Sequence, residues 1–197
     1  MRKMMGAVLL LLLPLGCGGG DADVARASTA LPKMRWDAQR PSDEAQAWTR
    51  ATLGALQSHG ADLEQIVPAD ITNYCPAYPN ASVADRRAFW AGLFSALAKY
   101  ESTWNPNAVG GGGRWFGLVQ IAPGTARHYG CRATSGEALK DGSLNLSCAV
   151  RIAANTVARD GVVSSSGRGI AADWGPFHDP SKVADISAWT RAQSYCR

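Results

Sequence analysis

The sequence predicts a mainly α-helical single domain that carries one small irregular or β-like insertion. Apolar residues recur at helical spacing in several separate segments, and capping residues stand at the ends of these segments. No internal repeat is visible in the 197 residues, and 46% of them are apolar, as in an ordinary globular core. This length suits one compact domain together with a leader.

The first residues have the pattern of an export signal. Arg2 and Lys3 precede an uncharged run from Met4 to Leu15, which is too short to cross a bilayer as a helix. The step from Leu15-Gly16 to Cys17 resembles a bacterial lipobox, although Pro14 departs from the usual pattern, which has Leu at that place. The resemblance implies a lipoprotein-type signal peptide at 1–16 and lipidation of Cys17, with ordinary signal cleavage a few residues later as the alternative.

Export determines the expected location. Gly18 follows Cys17, as in lipoproteins that are sent on to the outer membrane of a Gram-negative cell. We therefore expect an envelope lipoprotein that faces the periplasm, in the outer membrane. The alternative is a soluble secreted or periplasmic protein. Residues 17–41 are rich in Gly, Ala and polar residues and predict a flexible tether, so the folded domain is expected at 42–197.

The cysteines and charges narrow the possible functions. Apart from Cys17, four cysteines remain and can form two bridges, of which we favour Cys131–Cys148 and Cys75–Cys196 among three connectivities. No Cys-x-x-Cys pair exists and the three histidines are scattered, so no metal site is expected. The formal net charge is +4, and without the two cations of the leader the balance is 18 minus 16, or +2, with no basic run. Nucleic acid is therefore not an expected partner.

Helices are predicted in order along the domain. The first begins near Ser42 and is stopped by Gly60, and a short helical turn is predicted from 61 to 67. Ser82 caps the strongest helix, which continues to Tyr100 and is followed by a loop or small hairpin containing VGGGGRWFG. The later predicted helices are at 123–129, at 146–157 with a stop at Gly161, at 169–174 and at 186–195.

Glu101 lies where the strongest helix ends. It follows Phe94 and Leu97 at spacings of seven and four residues, so it shares their apolar face. Partial desolvation and the carbonyls of a helix C-terminus both raise the pKa of a carboxyl group, which suits an acid that protonates a glycosidic oxygen. A glutamate at a frayed helix end that reaches into water is the alternative interpretation.

Further motifs relate Glu101 to a known family. Glu101-Ser102 followed by Gly117-Leu118-Val119-Gln120-Ile121, within YESTWNPNAV, GLVQIAPGTARHYG and NLSCAVRIAA, resembles the soluble type of lytic transglycosylase domain, over roughly 73–174. The resemblance implies a lysozyme-like fold of the goose type acting on peptidoglycan, with Glu101 as catalytic acid and base. It also implies that Ser102 contacts the sugar or orients the acid.

The same resemblance implies a substrate groove. Gly117, Leu118 and Gln120 would line it, with the Gln120 amide offered to sugar hydroxyl or N-acetyl groups. The chain departs from the family where Val119 replaces Met and where AADWGPFHD stands in place of an Ala-Tyr-Asn block, so Trp174 or Asp173 would form that wall. Trp104 and Trp115 flank the proposed site and are candidates for stacking on sugar rings, with core packing as the alternative.

Family chemistry favours transglycosylation, because one carboxyl group suffices to cleave the MurNAc–GlcNAc β-1,4 bond and form 1,6-anhydro-muramyl ends. A hydrolytic muramidase needs a second carboxylate, for which Asp173 is the first candidate because it adjoins Trp174. The third possibility is a non-catalytic envelope module that binds peptidoglycan. No cofactor is expected, and a monomer is the default.

Overall fold

The computed structural model describes residues 30–197, and residues 31–197 form one compact unit. Its α-helices are α1 (Ser42–Gln57), α2 (Ala61–Gln65), α3 (Val83–Ser102), α4 (Pro123–His128), α5 (Gly142–Asp160) and α6 (Pro180–Arg191). Short 3-10 helices lie at Arg35–Ala38, Ile71–Asn73, Tyr78–Asn80, Ala138–Lys140, Ile170–Ala172, Gly175–His178 and Ser194–Cys196. The predicted signal peptide, Cys17 and the first part of the predicted tether lie outside the described residues.

Helix α3 is the central helix of the core. The Ser82 hydroxyl accepts a hydrogen bond from the Asp85 backbone N–H at 3.1 Å, as predicted for its N-cap. Every residue from 88 to 98 is buried, so the helix is enclosed by its neighbours on all sides. Thr103 then takes a left-handed conformation, with φ of 53°, and ends the helix one residue after Ser102.

Helix α5 is the second long helix and packs against α1, α2 and the hairpin that follows it. The Asp141 carboxylate caps its first turn by accepting the Leu144 N–H at 3.0 Å. Gly161, with φ of 69°, ends it as the sequence predicted. The predicted helix near 169–174 is only a 3-10 turn, and the helix predicted at 186–195 begins earlier, at the proline of α6.

The strands confirm a small β-like insertion between α3 and α4. Strands β1 (Val109–Gly110) and β2 (Trp115–Phe116) pair antiparallel, with Gly110 opposite Trp115. A second hairpin, β3 (Ser164–Ser165) and β4 (Arg168–Gly169), follows α5 and was not predicted. No helix within residues 30–197 is long and apolar enough to span a membrane.

The folded part of the chain begins before the predicted boundary at 42. Met34 and Trp36 are buried in the core, where the Trp36 indole N–H donates to the Thr49 hydroxyl at 3.1 Å. The Arg35 guanidinium makes two hydrogen bonds to Asp185, at 2.6 and 3.1 Å. The predicted tether is therefore wrong for 31–41, because two large apolar side chains are buried there.

Both predicted disulfide bonds are present. Cys75–Cys196 ties the last turn of the chain to the segment before α3, and Cys131–Cys148 joins the end of α4 to α5. In the chain-entropy model such loops stabilise a fold by about 3 to 5 kcal/mol each.

Candidate active site

Glu101 lies in the last turn of α3 and is partly buried. Among the described residues its carboxyl group has no hydrogen-bond partner. Every fully buried polar side-chain atom of the described residues does have a partner, so the Glu101 oxygens are not fully buried. Both carboxyl oxygens therefore reach solvent-accessible space. Burial raises the pKa of Glu101 from its ordinary value of 4.5 to about 7, and the positive charge of Lys182 opposes this rise. The group is thus poised to hold or release a proton near neutral pH.

Three hydrogen bonds hold residues 117–121, called here the groove segment, and one of them comes from this helix end. The Ser102 hydroxyl donates to the Leu118 carbonyl at 2.8 Å, and the Trp174 indole N–H donates to the Val119 carbonyl at 2.8 Å. The Asn145 side chain accepts the Val119 N–H at 3.0 Å. The groove segment is consequently fixed to α3, to α5 and to the turn before α6, so its geometry relative to Glu101 is set by the core.

The first residue of the groove segment, Gly117, cannot be replaced by a residue with a side chain without strain. Gly117 has φ of 82°, and a Cβ there would lie 2.1 Å from the Leu139 carbonyl oxygen. Leu118 has no exposed surface. The prediction that Gly117 and Leu118 line the groove is therefore wrong, because both residues face the interior and support the segment from behind.

Gln120 is partly exposed and lines the cavity described below, but the N–H groups of its side chain already have partners. Its side-chain amide N–H groups donate to the carbonyls of Gly117 at 2.9 Å and Ala108 at 3.2 Å. Both amide hydrogens are used within the loop, so Gln120 can offer a ligand only its carbonyl oxygen. The amide predicted to bind sugar hydroxyl or N-acetyl groups therefore uses its N–H groups to link Gly117 and Ala108, and its contact with a sugar stays a prediction.

A cavity next to the groove segment brings several predicted residues together. It is lined by residues that include Trp115, Gln120, Thr125, Asp173 and Trp174. Trp174 exposes only 3% of its surface and packs edge-on against Phe94, whereas Trp115 exposes 42%. Trp115 is therefore the more exposed of the two rings that line the cavity, and its contact with a sugar stays a prediction.

Two predicted substrate contacts have structural roles instead. Trp104 is 8% exposed, and its indole N–H donates to the Ser95 carbonyl at 2.9 Å, so it belongs to the core. Ser102 was expected to contact the sugar or orient the acid, but its hydroxyl hydrogen is donated to the groove segment. Neither side chain has its donor free for a substrate.

Asp173 lies in the cavity, and partial desolvation raises its pKa, while Arg159 and His128 oppose this rise. The charges that act on Glu101 and on Asp173 are different, since Lys182 acts on the first carboxyl and Arg159 and His128 on the second. Among residues 30–197 no cluster of three His, Cys, Asp or Glu side chains could hold a metal ion.

Three residues of the site were missed from the sequence. Asn145 is fully buried and bonds Val119, Phe116 and Leu139, which organises the groove segment. The available signal was a polar amide on the apolar face of α5, since a buried amide requires partners. Thr125 and Lys182 reach the site only through tertiary packing, and no local pattern indicates them.

Comparisons with known proteins agree with this geometry. Residues 79–161 match the family model described as the transglycosylase SLT domain. No curated protein has a significantly similar sequence. The wild-type structure of DslA (Bd0314) is 28% identical and superposes with a TM-score of 0.74, covering 84% of this chain and 98% of that one.

Two glutamate-to-glutamine mutants of DslA give the same result. One is 28% identical and covers 83% of this chain and 97% of its own, and the other is 27% identical and covers 85% and 99%, each with a TM-score of 0.74. The resemblance to the soluble type of lytic transglycosylase domain and the mainly α-helical, lysozyme-like fold are thereby confirmed.

Proposed function

We propose that this chain, which carries a transglycosylase SLT domain at residues 79–161, is a peptidoglycan lytic transglycosylase. It would cleave the MurNAc–GlcNAc β-1,4 bond and form 1,6-anhydro-muramyl ends. The proposal rests on the state of the Glu101 carboxyl group. This group has no hydrogen-bond partner among the described residues, and burial raises its pKa to about 7. Such a group is protonated in a substantial fraction at neutral pH, as a general acid must be.

The proposed reaction uses the same carboxyl twice. Glu101 first donates its proton to the bridging glycosidic oxygen, so the glucosaminyl fragment leaves as an alcohol while positive charge develops at C1 of the muramyl residue. The Glu101 carboxylate then takes the proton from the C6 hydroxyl of that residue as its oxygen bonds to C1. The proton returns to Glu101, no water is consumed, and the 1,6-anhydro ring is the product.

The different charges that act on the pKa values of Glu101 and Asp173 favour transglycosylation over hydrolysis. A retaining hydrolase places its carboxyls about 5 to 5.5 Å apart, and an inverting one about 6.5 to 9.5 Å apart. At such separations each carboxylate would raise the other's pKa, whereas Glu101 responds to Lys182 and Asp173 to Arg159 and His128. Hydrolysis remains the second candidate because Asp173 does line the cavity beside the groove segment.

Incubation of the purified domain with cell-wall sacculi tests this proposal. Mass analysis of the released muropeptides should show anhydro-muramyl ends, whereas reducing ends would establish the hydrolase. Glu101→Gln should lower release by about 10²- to 10⁴-fold while sacculus binding persists, because general acid catalysis contributes about that factor. Release by Glu101→Gln at the parental rate would refute the role of Glu101, and binding without release by the parent would establish a non-catalytic module.

We further propose that the protein acts in the cell envelope as a lipoprotein anchored through Cys17. Both disulfide bonds support an oxidising compartment outside the cytoplasm. Metabolic labelling with a fatty acid should mark the parent and not Cys17→Ala, and the label should fractionate with the outer membrane. Secretion of an unlabelled parent into the periplasm or medium would instead establish ordinary signal cleavage.

A further inference from the structure

The β1–β2 hairpin presents an aromatic ring at the edge of the cavity. Trp115 exposes 42% of its surface and lines the cavity together with Gln120 and Trp174. A Cβ on Gly111 would lie 2.1 Å from the Trp115 ring, so the ring rests directly on the Gly111 backbone. The turn that allows this contact has three consecutive glycines with positive φ, at 111–113. The ring is thus held in place although nearly half of it is exposed.

Arg114 is held beside this ring. Its guanidinium carbon lies 4.9 Å from the Trp115 ring centroid, and its Nε–H donates to the Gly111 carbonyl at 2.8 Å. Among the described residues no carboxylate forms an ion pair with Arg114, and its terminal N–H groups make no hydrogen bond. A guanidinium ordered by stacking and by one hydrogen bond loses less entropy when it binds an anion.

The charges around the cavity indicate where an anionic ligand group would lie. Asp173 is one of the residues that line the cavity, and its carboxylate disfavours a second anion there. Arg114 is not a lining residue of the cavity but contacts Trp115 from outside it. A sugar on Trp115 with an anionic substituent would therefore direct that substituent away from Asp173 and towards Arg114.

The substrate of the proposed function has such a substituent on alternate sugars only. Peptidoglycan alternates glucosaminyl and muramyl residues, and the muramyl residue alone bears a lactyl ether, which carries either its own carboxylate or a peptide with carboxylates. An enzyme that cuts one of two alternating β-1,4 bonds must distinguish these residues to bind in the correct register.

We propose that Arg114 and Trp115 form a subsite that recognises a sugar carrying a carboxylate, and that this subsite fixes the register of the glycan strand by selecting muramyl residues. The inference rests on the proposed function, because it assumes that the groove binds peptidoglycan. Trp115 contributes apolar contact with the sugar, and Arg114 contributes charge-assisted hydrogen bonds to the lactyl or peptide carboxylate. Arg114 is a specificity-determining residue and takes no part in proton transfer.

Binding measured without turnover tests the subsite. In the Glu101→Gln background, calorimetry would compare three ligands: peptide-bearing glycan fragments, the same fragments after enzymatic removal of the peptides, and a chitin hexasaccharide. Adding Arg114→Ala should weaken binding of muramyl fragments by about ten- to hundredfold, as expected for hydrogen bonds to a charged group, and should leave chitin affinity unchanged. Arg114→Lys should retain part of the affinity, because it keeps the charge but not the planar fork.

A matched control and the remaining outcomes complete the test. Arg50→Ala removes another exposed arginine, whose guanidinium bonds Gln46 on α1, and should leave all three affinities unchanged. A loss with peptide-free fragments identifies the lactyl carboxylate as the ligand, and a loss confined to peptide-bearing fragments identifies the peptide. An equal loss for chitin, or no loss for any ligand, overturns the subsite. If the Glu101→Gln protein binds no muramyl fragment at all, the proposed function fails as well.

Discussion

Two glutamates are buried to different extents in the helical core, and only one of them has a hydrogen-bond partner among the described residues. Glu64, on α2, is 3% exposed, and its carboxylate accepts hydrogen bonds from Arg87 at 2.5 and 2.8 Å. Glu101, at the end of α3, has no hydrogen-bond partner among the described residues, and burial raises its pKa to about 7. The first carboxylate is neutralised by a partner and holds α2 against α3. The second is left without one, and that lack is what makes it a proton donor near neutral pH.

The largest expected effect comes from removing the partner of Glu64. Arg87→Ala leaves a nearly buried carboxylate without its cation and should lower the free energy of unfolding by about 3 to 5 kcal/mol. Urea denaturation of the parent and the variant at pH 7 measures the difference. Lys140→Ala breaks the ion pair of Lys140 with the exposed Glu137 and should cost about 0.5 kcal/mol or less. Equal costs for the two variants would show that burial does not distinguish the pairs.

The second test changes the unpaired carboxyl itself. A carboxyl whose pKa is raised on folding destabilises the fold once it ionises, so its contribution is absent below about pH 4.5 and grows until about pH 7. Glu101→Gln should therefore raise the free energy of unfolding by about 3 kcal/mol at pH 8, with no gain in the acid range.

Denaturation of both proteins at pH 4.5 and pH 8 measures this pH dependence. Glu137→Gln is the matched control, because Glu137 is exposed and pairs only with Lys140 in the described structure. The difference in the free energy of unfolding between Glu137→Gln and the parent should be the same at the two pH values, because both proteins retain Glu101. A gain for Glu101→Gln that is the same at both values would mean that the carboxyl is not desolvated.

The pH dependence of activity gives a third test, of whether Glu101 donates its proton in the reaction. If Glu101 must be protonated for the first step, kcat/KM for sacculus cleavage should fall above about pH 7 by about tenfold for each pH unit. The measurement is initial release of soluble fragments between pH 5 and 9. A profile that stays flat to pH 9 would contradict a Glu101 acid, and the Glu137→Gln control should retain the parental profile.

The position of Glu101 could be predicted from the sequence, whereas its surroundings could not. Helix α3 and the position of Glu101 follow from local signals, namely the Ser82 cap and the apolar residues at helical spacing. These signals lie within one continuous segment, and the helix forms as they indicate. The disulfide pairs were predicted correctly from three possible connectivities, of which the favoured one closes a local loop between Cys131 and Cys148.

The groove was harder to predict because long-range contacts build it. Leu118 was predicted in the groove but is buried, since Asn145 on α5 holds the adjacent Val119 N–H at 3.0 Å. Trp104 lies just before Asn105-Pro106, a sequence that suggests a loop. Two consecutive left-handed residues, at 103 and 104, nevertheless return its ring to the core. Spacing along one chain segment carries no information about either contact.

The smallest expected effect concerns the support of the unpaired acid. Ser102→Ala removes the hydrogen bond of its hydroxyl to the Leu118 carbonyl, so it should lower the free energy of unfolding by about 1 kcal/mol. Because the same bond fixes the groove segment to the end of α3, kcat should fall several-fold more than the change in stability alone explains. Ser102→Thr keeps the hydroxyl and should recover most of both properties. Sacculus cleavage and denaturation of the three proteins give the comparison, and a change in KM without a change in kcat would instead indicate that Ser102 contacts the sugar directly.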